Sequence, residues 1–321
     1  MPGAKITSLS AARKERARQS DPIWKNIFPS TFHDALYSGL EISTHVLFAG
    51  SVTLQGSKLN YRYDHYTWPE MKDVVARGPV CIVPIGSVED HGRHLPLDVD
   101  NFLIGSICDE VARRIPDDVL LLPIIPFGFE DHHMSFPGTI TIKSEHLEAF
   151  VLDVTLSLAH HGFRKILIAD GHGSNLPILD MVARKTIIQS DALCACFLWP
   201  ALIAEMLRQT RASEYPGGMS HACELETSVY LYLNEAAVQM DRAEKEIGFH
   251  KSKYYWHDLA GGPPVRLVEW WSRISHTGTI GDPTLATRDK GKLWFDAAVA
   301  AMIEFIREFR SFEIRPKRDM H

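Results

Sequence analysis

The chain has 321 residues, of which 45% are apolar and 23% are charged, an ordinary composition for one large globular domain or two smaller ones. Its 34 basic and 40 acidic residues give a formal net charge of −6, so no long-range field favours nucleic acid or an anionic membrane. We therefore expect a small-molecule ligand, and neither a nucleic-acid nor a membrane partner.

The N-terminus is basic, but no apolar stretch follows its positive charges, so a secretory signal is not expected. No run in the sequence approaches the ~20 apolar residues that a membrane span needs. The five cysteines are odd in number, and several lie in apolar runs, which favours reduced thiols over a disulfide framework. These features predict a cytoplasmic protein.

Three regions are expected along the chain. Residues 1–20 are predicted to be a basic arm, and residues 21–78 an irregular extension that ends in a helix between Trp68 and Ala76. The extension mixes aromatic and polar residues without a clear period. Such a segment suits packing on the main domain, residues 79–321, or on a neighbouring subunit.

From residue 79, short apolar runs alternate with longer amphipathic stretches, which predicts an α/β domain with a mainly parallel sheet. Strands are predicted at Pro79–Gly86, Val119–Pro126, Lys165–Asp170 and Ala192–Trp199. Helices are predicted at Asn101–Ile115, Ser144–His161, Asn175–Gln189, Pro200–Thr210, Ala222–Asn234 and Arg288–Arg310. In such sheets the loops that follow the strands meet at one edge, where ligands bind.

One segment interrupts this alternation. Residues Tyr254–His276 contain Trp256, Trp270 and Trp271, with a Gly-Gly-Pro-Pro run inside and a Gly-rich turn directly after. These breakers predict an inserted loop or short helix, which acts as a lid or as a subunit contact. This segment and the N-terminal extension contain more aromatic side chains than a monomer usually leaves exposed. A homo-oligomer is therefore expected.

Three candidate metal ligands follow the first predicted strand. Glu89 and His91 are two residues apart, so an extended backbone places both side chains on one side. Asp100 follows a Leu-Pro-Leu turn, where the chain can fold back toward them. A set of carboxylates and imidazoles suits Zn²⁺, Mn²⁺ or Fe²⁺. The alternative is that Asp100 is only a helix N-cap and that Glu89 and His91 are only polar loop residues.

Two further motifs carry histidines. His172 lies between glycines after the third predicted strand, a position that suits either a metal ligand or a turn residue. His221 and Glu224 are three residues apart at the start of a predicted helix and so share one face, whereas Glu226 lies elsewhere on the turn. The alternative for Glu224 is a carboxylate that complements the helix dipole.

Together these motifs resemble the creatininase family of metal-dependent amidohydrolases, over residues 79 to about 310. The resemblance rests on motifs that occur in the family's order: Gly86-Ser-Val-Glu-Asp-His-Gly-Arg-His-Leu-Pro-Leu-Asp-Val-Asp100, Phe136-Pro-Gly-Thr-Ile140, Asp170-Gly-His-Gly-Ser-Asn175, His221-Ala-Cys-Glu-Leu-Glu-Thr-Ser228, and Gly281-Asp-Pro283 with Ala286-Thr287. The resemblance implies a three-layer αβα sandwich and a hexamer built from dimers.

The resemblance also implies two divalent metal ions, Zn²⁺ or Mn²⁺ with Fe²⁺ as a further option. Asp100 would bridge the two ions, Glu89 and His172 would complete the first, and His91 would bind the second. Creatininase supplies a further carboxylate where this chain has Ser174. We expect Glu224 to replace it, both as a ligand and as a catalytic group.

His221 is the expected proton carrier, because imidazole exchanges protons near neutral pH. Supporting roles are expected for Asn175, Asp131, His132 and His133. The departure at Ser174 argues against creatinine as the substrate.

The resemblance implies hydrolysis of a small substrate, since family members act on cyclic amides, formamides, peptides and a cyclic polyol ketone, 3-dehydro-scyllo-inosose. The polar loop Glu130–Ser135 would suit a hydroxylated ring. The alternative is a fold that keeps one structural metal and only binds a ligand. A nucleotide-dependent enzyme is not expected, because no glycine-rich phosphate motif follows the first strand.

Overall fold

In a computed structural model, which describes residues 60–321, four short apolar runs pair into one parallel sheet. The strands are β1 (Val80–Ile85), β2 (Val119–Leu121), β3 (Lys165–Asp170) and β4 (Leu193–Leu198). Their order across the sheet is β2-β1-β3-β4, and every neighbouring pair is parallel. Except at β2, the observed strands agree closely with the predicted ones.

The second strand is shorter than its sequence predicts. The ladder between β1 and β2 ends at Leu121, although the apolar run continues to Pro126. Pro123 and Pro126 have no backbone N–H, so they cannot continue the pairing. An isolated bridge between Ile85 and Ile125 keeps the segment beside β1 as far as the carboxyl edge of the sheet.

Helices lie on both faces of this sheet and confirm the predicted three-layer architecture. They are α1 (Met71–Arg77), α2 (Val99–Arg114), α3 (Ser144–His160), α4 (Leu176–Gln189), α5 (Ala204–Thr210), α6 (Glu224–Asn234), α7 (Trp271–Ile274) and α8 (Arg288–Ser311). Helices α3 and α4 form one core with strand residues that include Val83 and Ile166. Helix α2 contacts β1 and β2 and packs against α8, which in turn packs against α6.

The topology determines where a ligand can bind. The chain leaves β1 toward β2 on one side of the sheet, whereas β3 and β4 lie on the other side. Because parallel crossovers are right-handed, this change of direction puts α2 and α4 on opposite faces and opens a crevice beyond the ends of β1 and β3. Ile85 and Asp170 pair at those two ends, and the motifs that contain Glu89 and His172 follow directly.

The predicted basic arm, residues 1–20, lies outside the described residues, as does most of the extension 21–78. At the end of that extension, Tyr63, Tyr66 and Met71 pack against the core formed with α3 and α4. The predicted helix there begins at Met71 and ends at Arg77. All five cysteines are free, and no helix within residues 60–321 is long and apolar enough to cross a membrane.

Candidate metal centre

Four of the five predicted metal ligands lie together beyond the carboxyl ends of β1 and β3. Glu89 and His91 lie in the loop after β1, Asp100 in the first turn of α2, and His172 in the turn after β3. All four side chains are buried. The ligand atoms of Glu89, Asp100 and His172 form a group in which no two atoms are more than 4.8 Å apart.

Asp100 occupies the middle of this cluster. Its Oδ2 lies 3.1 Å from Nδ1 of His172, and its Oδ1 lies 3.3 Å from Nε2 of His91. The Ser87 hydroxyl donates to Oδ2 at 2.5 Å, which fixes the carboxylate. The N-cap position of α2 is occupied by Asp98 and not by Asp100, so the alternative reading of Asp100 as a cap does not hold. One carboxylate thus presents a different oxygen to each imidazole.

Backbone carbonyl acceptors fix how His172 and His221 face the cluster. Nε2 of His172 donates to the carbonyl of Phe129 at 3.3 Å, which leaves Nδ1 toward Glu89 and Asp100. Nε2 of His221 donates to the carbonyl of Asp90 at 2.7 Å, and its Nδ1 lies 3.6 Å from Oε1 of Glu89. Metal-binding histidines characteristically use one nitrogen for such a hydrogen bond and present the other to the ion.

Glu226 completes the other side of the cluster. Its Oε1 lies 3.9 Å from Nε2 of His91, and the ligand atoms of His91, His221 and Glu226 form a second group within 4.8 Å. Glu226 is the third residue of α6, and its other oxygen accepts from the backbone N–H of Cys223 at 3.3 Å. A carboxylate that the sequence placed away from the site therefore lies inside it.

Glu224 lies elsewhere, which corrects its expected role. Its buried carboxylate accepts from the backbone N–H groups of Ala212 and Ser213 and forms an ion pair with Lys290. The helix begins at Glu224, whereas His221 ends the short strand β5 (Met219–His221). Because His221 is not helical, the three-residue spacing does not put His221 and Glu224 on one face. Glu224 stabilises the packing of α6 and α8 instead.

The cluster has the chemistry of a cation site. Both carboxylate oxygens of Glu89 and Nε2 of His91 are buried and have no hydrogen-bond partner among residues 60–321. Burial alone would lower the pKa of His91, but Asp100 and Glu226 raise it to about 10. Buried carboxylates that hold an imidazole charged would stabilise a metal cation at the same place. The donor set therefore fits divalent transition metals.

The structure separates the supporting residues predicted from sequence. His133 lies at the cluster: its Nδ1 donates to Asp90 at 2.9 Å, and its Nε2 lies 3.7 Å from Oε2 of Glu89. His132 contacts the Ser174 hydroxyl at 3.0 Å. Asn175 is buried, and its amide donates to the carbonyl of Gly86 at 3.1 Å. Asp131 is exposed and lies on the outer side of its turn.

Two acidic residues near the cluster, Asp90 and Glu130, were given no individual role from the sequence. Asp90 accepts hydrogen bonds from both His133 and His221. Its position between Glu89 and His91 is the only feature of the sequence that could have suggested this role. Glu130 is fully buried, and neither carboxylate oxygen has a hydrogen-bond partner among the described residues. Burial raises the pKa of Glu130 to about 9.

The tryptophan-bearing segment covers one side of the cluster. Within Tyr254–His276, the one-turn helix α7 places Trp271 against the ring of His133, with ring centroids 4.4 Å apart and planes inclined by 29°. The neighbouring Trp270 donates from Nε1 to the Ser135 hydroxyl at 2.8 Å. The segment is an irregular loop that contains one short helix, and it lies over the site.

Glu246 fixes the turn that follows this segment. Its carboxylate accepts from the Ser275 hydroxyl, the His276 N–H and the Thr277 hydroxyl at 2.6–2.8 Å. The next residue, Gly278, has φ +84°, and a Cβ there would lie 2.4 Å from Oδ2 of Asp90. The turn thus depends on both a hydrogen-bonded carboxylate and a glycine.

This arrangement predicts a pH-dependent contribution to stability. Burial raises the pKa of Glu246, but the hydrogen bonds outweigh it and lower the pKa to about 2 from 4.5. The ionised form therefore stabilises the fold above pH 4.5, and this contribution is lost as the pH falls toward 2. Urea titrations should show Glu246→Gln less stable than wild type at pH 7, with the difference shrinking below pH 4.5. The exposed Glu244→Gln serves as the control, and a difference independent of pH would contradict the assignment.

Comparison with known proteins identifies the family to which the chain belongs. The creatininase family model, described as creatinine amidohydrolase, matches residues 64–306. The chain belongs to the creatininase family. The matched residues include the loops that carry Glu89, His172 and His221, so the resemblance noted from the sequence is confirmed.

Relatives of the chain in this family are hydrolases with different substrates. Creatinine amidohydrolase from Pseudomonas putida is 29% identical over 75% of this chain and 94% of that protein. Mycofactocin precursor peptide peptidase from Mycobacterium tuberculosis is 30% identical over 69% and 82%. The 3-dehydro-scyllo-inosose hydrolase of Thermotoga maritima is 25% identical over 75% and 81%. The chain is thus a creatininase-family hydrolase, and these names leave its substrate open.

Solved creatininase structures share the fold. A mutant creatininase of the Zn-Zn type superposes with a TM-score of 0.66 and 26% identity, covering 79% of this chain and all of that one. A structure titled "Creatininase Mn" gives a TM-score of 0.62 at 25% identity, over 78% of this chain and 99% of that one. Both matches support the α/β assignment.

Proposed function

We propose that this creatininase-family hydrolase uses two divalent metal ions. Glu89, Asp100 and His172 would hold the first, and His91, Asp100 and Glu226 the second. The observation that carries the proposal is the Asp100 carboxylate, which offers one oxygen to each imidazole. Zn²⁺ and Mn²⁺ suit this mixture of oxygen and nitrogen donors, and they are the metals named for the related creatininase structures.

The side chains of the site would then divide the work of hydrolysis. Bound as a pair, such ions lower the pKa of a coordinated water and polarise the group under attack. His221 would carry the proton at Nδ1, because its Nε2–H is committed to the carbonyl of Asp90. Asp90 and His133 hold each other beside Glu89. The burial of these residues excludes bulk water and strengthens every charge interaction.

We further propose that the substrate is a small cyclic compound, either a cyclic amide or a cyclic polyol ketone such as 3-dehydro-scyllo-inosose. The support is chemical: imidazole and hydroxyl groups from His132, His133 and Ser174 contact one another beside the cluster. Ser174 cannot supply the carboxylate found in creatininase, which argues against creatinine. The peptide-cleaving relative makes a peptide substrate one outcome of the test below.

The test is metal analysis followed by a substrate panel. Purified full-length protein should contain close to two divalent ions per chain, and the metal-loaded enzyme should hydrolyse one class among cyclic amides, lactones and oxidised inositols. Protein that retains at most one ion and hydrolyses none of these would favour the alternative function, a ligand-binding module with a structural metal. Turnover of peptides alone would keep the metal proposal and replace the substrate proposal.

The oligomeric state and the cellular location of the protein remain predictions. The exposed apolar side chains of the inserted segment, among them Val265 and Val268, support the proposal of a homo-oligomer, and a hexamer is the form we propose. Sedimentation velocity of the metal-loaded protein tests it. The free cysteines support a cytoplasmic location, because thiols persist in a reducing compartment.

A further inference from the structure

Trp271 lies among the histidines of the site. Its ring stacks on His133, and it meets His221 and His132 edge to face, with ring centroids 5.3 Å apart in both cases. The side chain is 8% exposed. The indole thus packs over one side of the cluster, next to His133 and His221.

The indole N–H of Trp271 has no hydrogen-bond acceptor among residues 60–321, although it is buried. Three other described tryptophans do have one: Trp256 donates to the carbonyl of Gly261, Trp270 to Ser135 and Trp294 to Thr210, all at 2.8–2.9 Å. Burying such a donor without a partner is unfavourable, and buried tryptophans usually find an acceptor. An unpaired donor beside a catalytic cluster points to an acceptor that comes from outside the chain.

We propose that Trp271 is a substrate-binding residue whose indole N–H donates to an oxygen of the substrate away from the bond that is cleaved. The proposal rests on the proposed function of the site. It requires a substrate with a second carbonyl, hydroxyl or carboxylate oxygen, on a part of the molecule that can lie against an aromatic face. Oxidised cyclic polyols and cyclic imides meet this requirement, whereas simple monofunctional amides do not.

The position of the residue supports this assignment. Trp271 belongs to α7, within a segment that contributes no side chain to the two candidate metal-binding groups described above or to a third one, formed by Glu89, His133 and His221. Its aromatic contacts are with the rings of His132, His133, His221 and His257. A hydrogen bond from the indole N–H of Trp271 would orient the substrate without touching the reacting atoms. Trp271 would therefore determine specificity.

The direct test observes the indole proton. In full-length, metal-loaded protein labelled with ¹⁵N-tryptophan, the resonance that disappears in Trp271→Phe identifies Trp271. Acetate and acetohydroxamate, which supply acceptor oxygens, should shift this resonance downfield and leave that of Trp270 in place. If neither probe moves the Trp271 resonance, the proposal is overturned.

Kinetics give a second, independent test with the substrate that the panel identifies. Trp271→Phe keeps a ring and removes the donor, so KM should rise about tenfold with kcat nearly unchanged, the signature of lost binding away from the reacting centre. Trp294→Phe, which removes an indole donor to Thr210 from helix α8, is the matched control and should leave KM unchanged. An unchanged KM in Trp271→Phe would refute the role. A different result would refute the proposed function itself: the wild-type protein would lack two metal ions or would not turn over the substrate.

Discussion

Replacing Asp100 with asparagine should reduce the metal content from close to two ions per chain to fewer than one. The substitution preserves shape but removes the charge from the group that faces both His91 and His172. Loss of the shared ligand weakens both positions at once, so hydrolysis should fall by at least about a thousandfold, ~4 kcal/mol in the activation free energy. Elemental analysis of purified protein and steady-state rates measure the two effects.

A neighbouring aspartate provides the control for Asp100. Asp98 lies two residues earlier at the N-cap of α2, is exposed, and accepts a hydrogen bond from the Tyr230 hydroxyl at 3.0 Å. Asp98→Asn should therefore keep both metals and near-normal activity. Circular dichroism distinguishes metal loss from unfolding in both variants. Two retained ions in Asp100→Asn would show that the carboxylate does not bridge the metals.

The parts of the fold that the sequence predicts are those determined by local pattern. β1, β3 and β4 are continuous apolar runs that fit a sheet covered on both faces, and the predicted bounds of β3 are those observed. In β2 the same apolar pattern extends to Pro126, beyond the end of the regular ladder at Leu121, because Pro123 and Pro126 cannot donate to that ladder. Hydrophobicity alone does not report a missing N–H donor, so the predicted strand was too long.

The residues of the candidate site likewise fall into those that the sequence predicts and those that it does not. Glu89, His91, Asp100 and His172 were predictable because topology alone brings the loops after parallel strands to one edge. Glu226 was missed because its placement depends on where a helix begins. Ala222 has φ +48°, a left-handed conformation rare outside glycine, and α6 starts only after it. No residue pattern in the motif signals that turn.

The contacts of Trp271 could not be predicted from sequence for a different reason. The segment that carries it has no helical or strand period, and α7 is a single turn. Its position over His133 depends on tertiary anchors such as the Trp270 to Ser135 hydrogen bond, which joins residues 135 positions apart. The sequence indicates an insertion rich in aromatics, but the face that it covers is a property of the folded chain.

Glu226→Gln should remove one of the two metal ions and leave the other. Glu226 faces His91 at 3.9 Å, whereas the group of Glu89, Asp100 and His172 does not include it. With the second position emptied, activity should fall about a hundredfold or more, and added Zn²⁺ or Mn²⁺ should restore part of it because the amide oxygen is a weaker ligand. Metal analysis before and after reconstitution measures this loss.

Glu224→Gln is the matched control, two residues away in the same turn of α6. Its carboxylate is bonded to Ala212, Ser213 and Lys290, so the variant should keep two metals but lose about 2 kcal/mol of unfolding free energy. Glu226→Gln should show the reverse pattern, with metal loss and little change in apo stability. If Glu224→Gln lost the metal and Glu226→Gln kept it, the ligand would be Glu224, as the helical spacing first suggested. The pair of variants therefore decides which carboxylate takes the place of the one missing at Ser174.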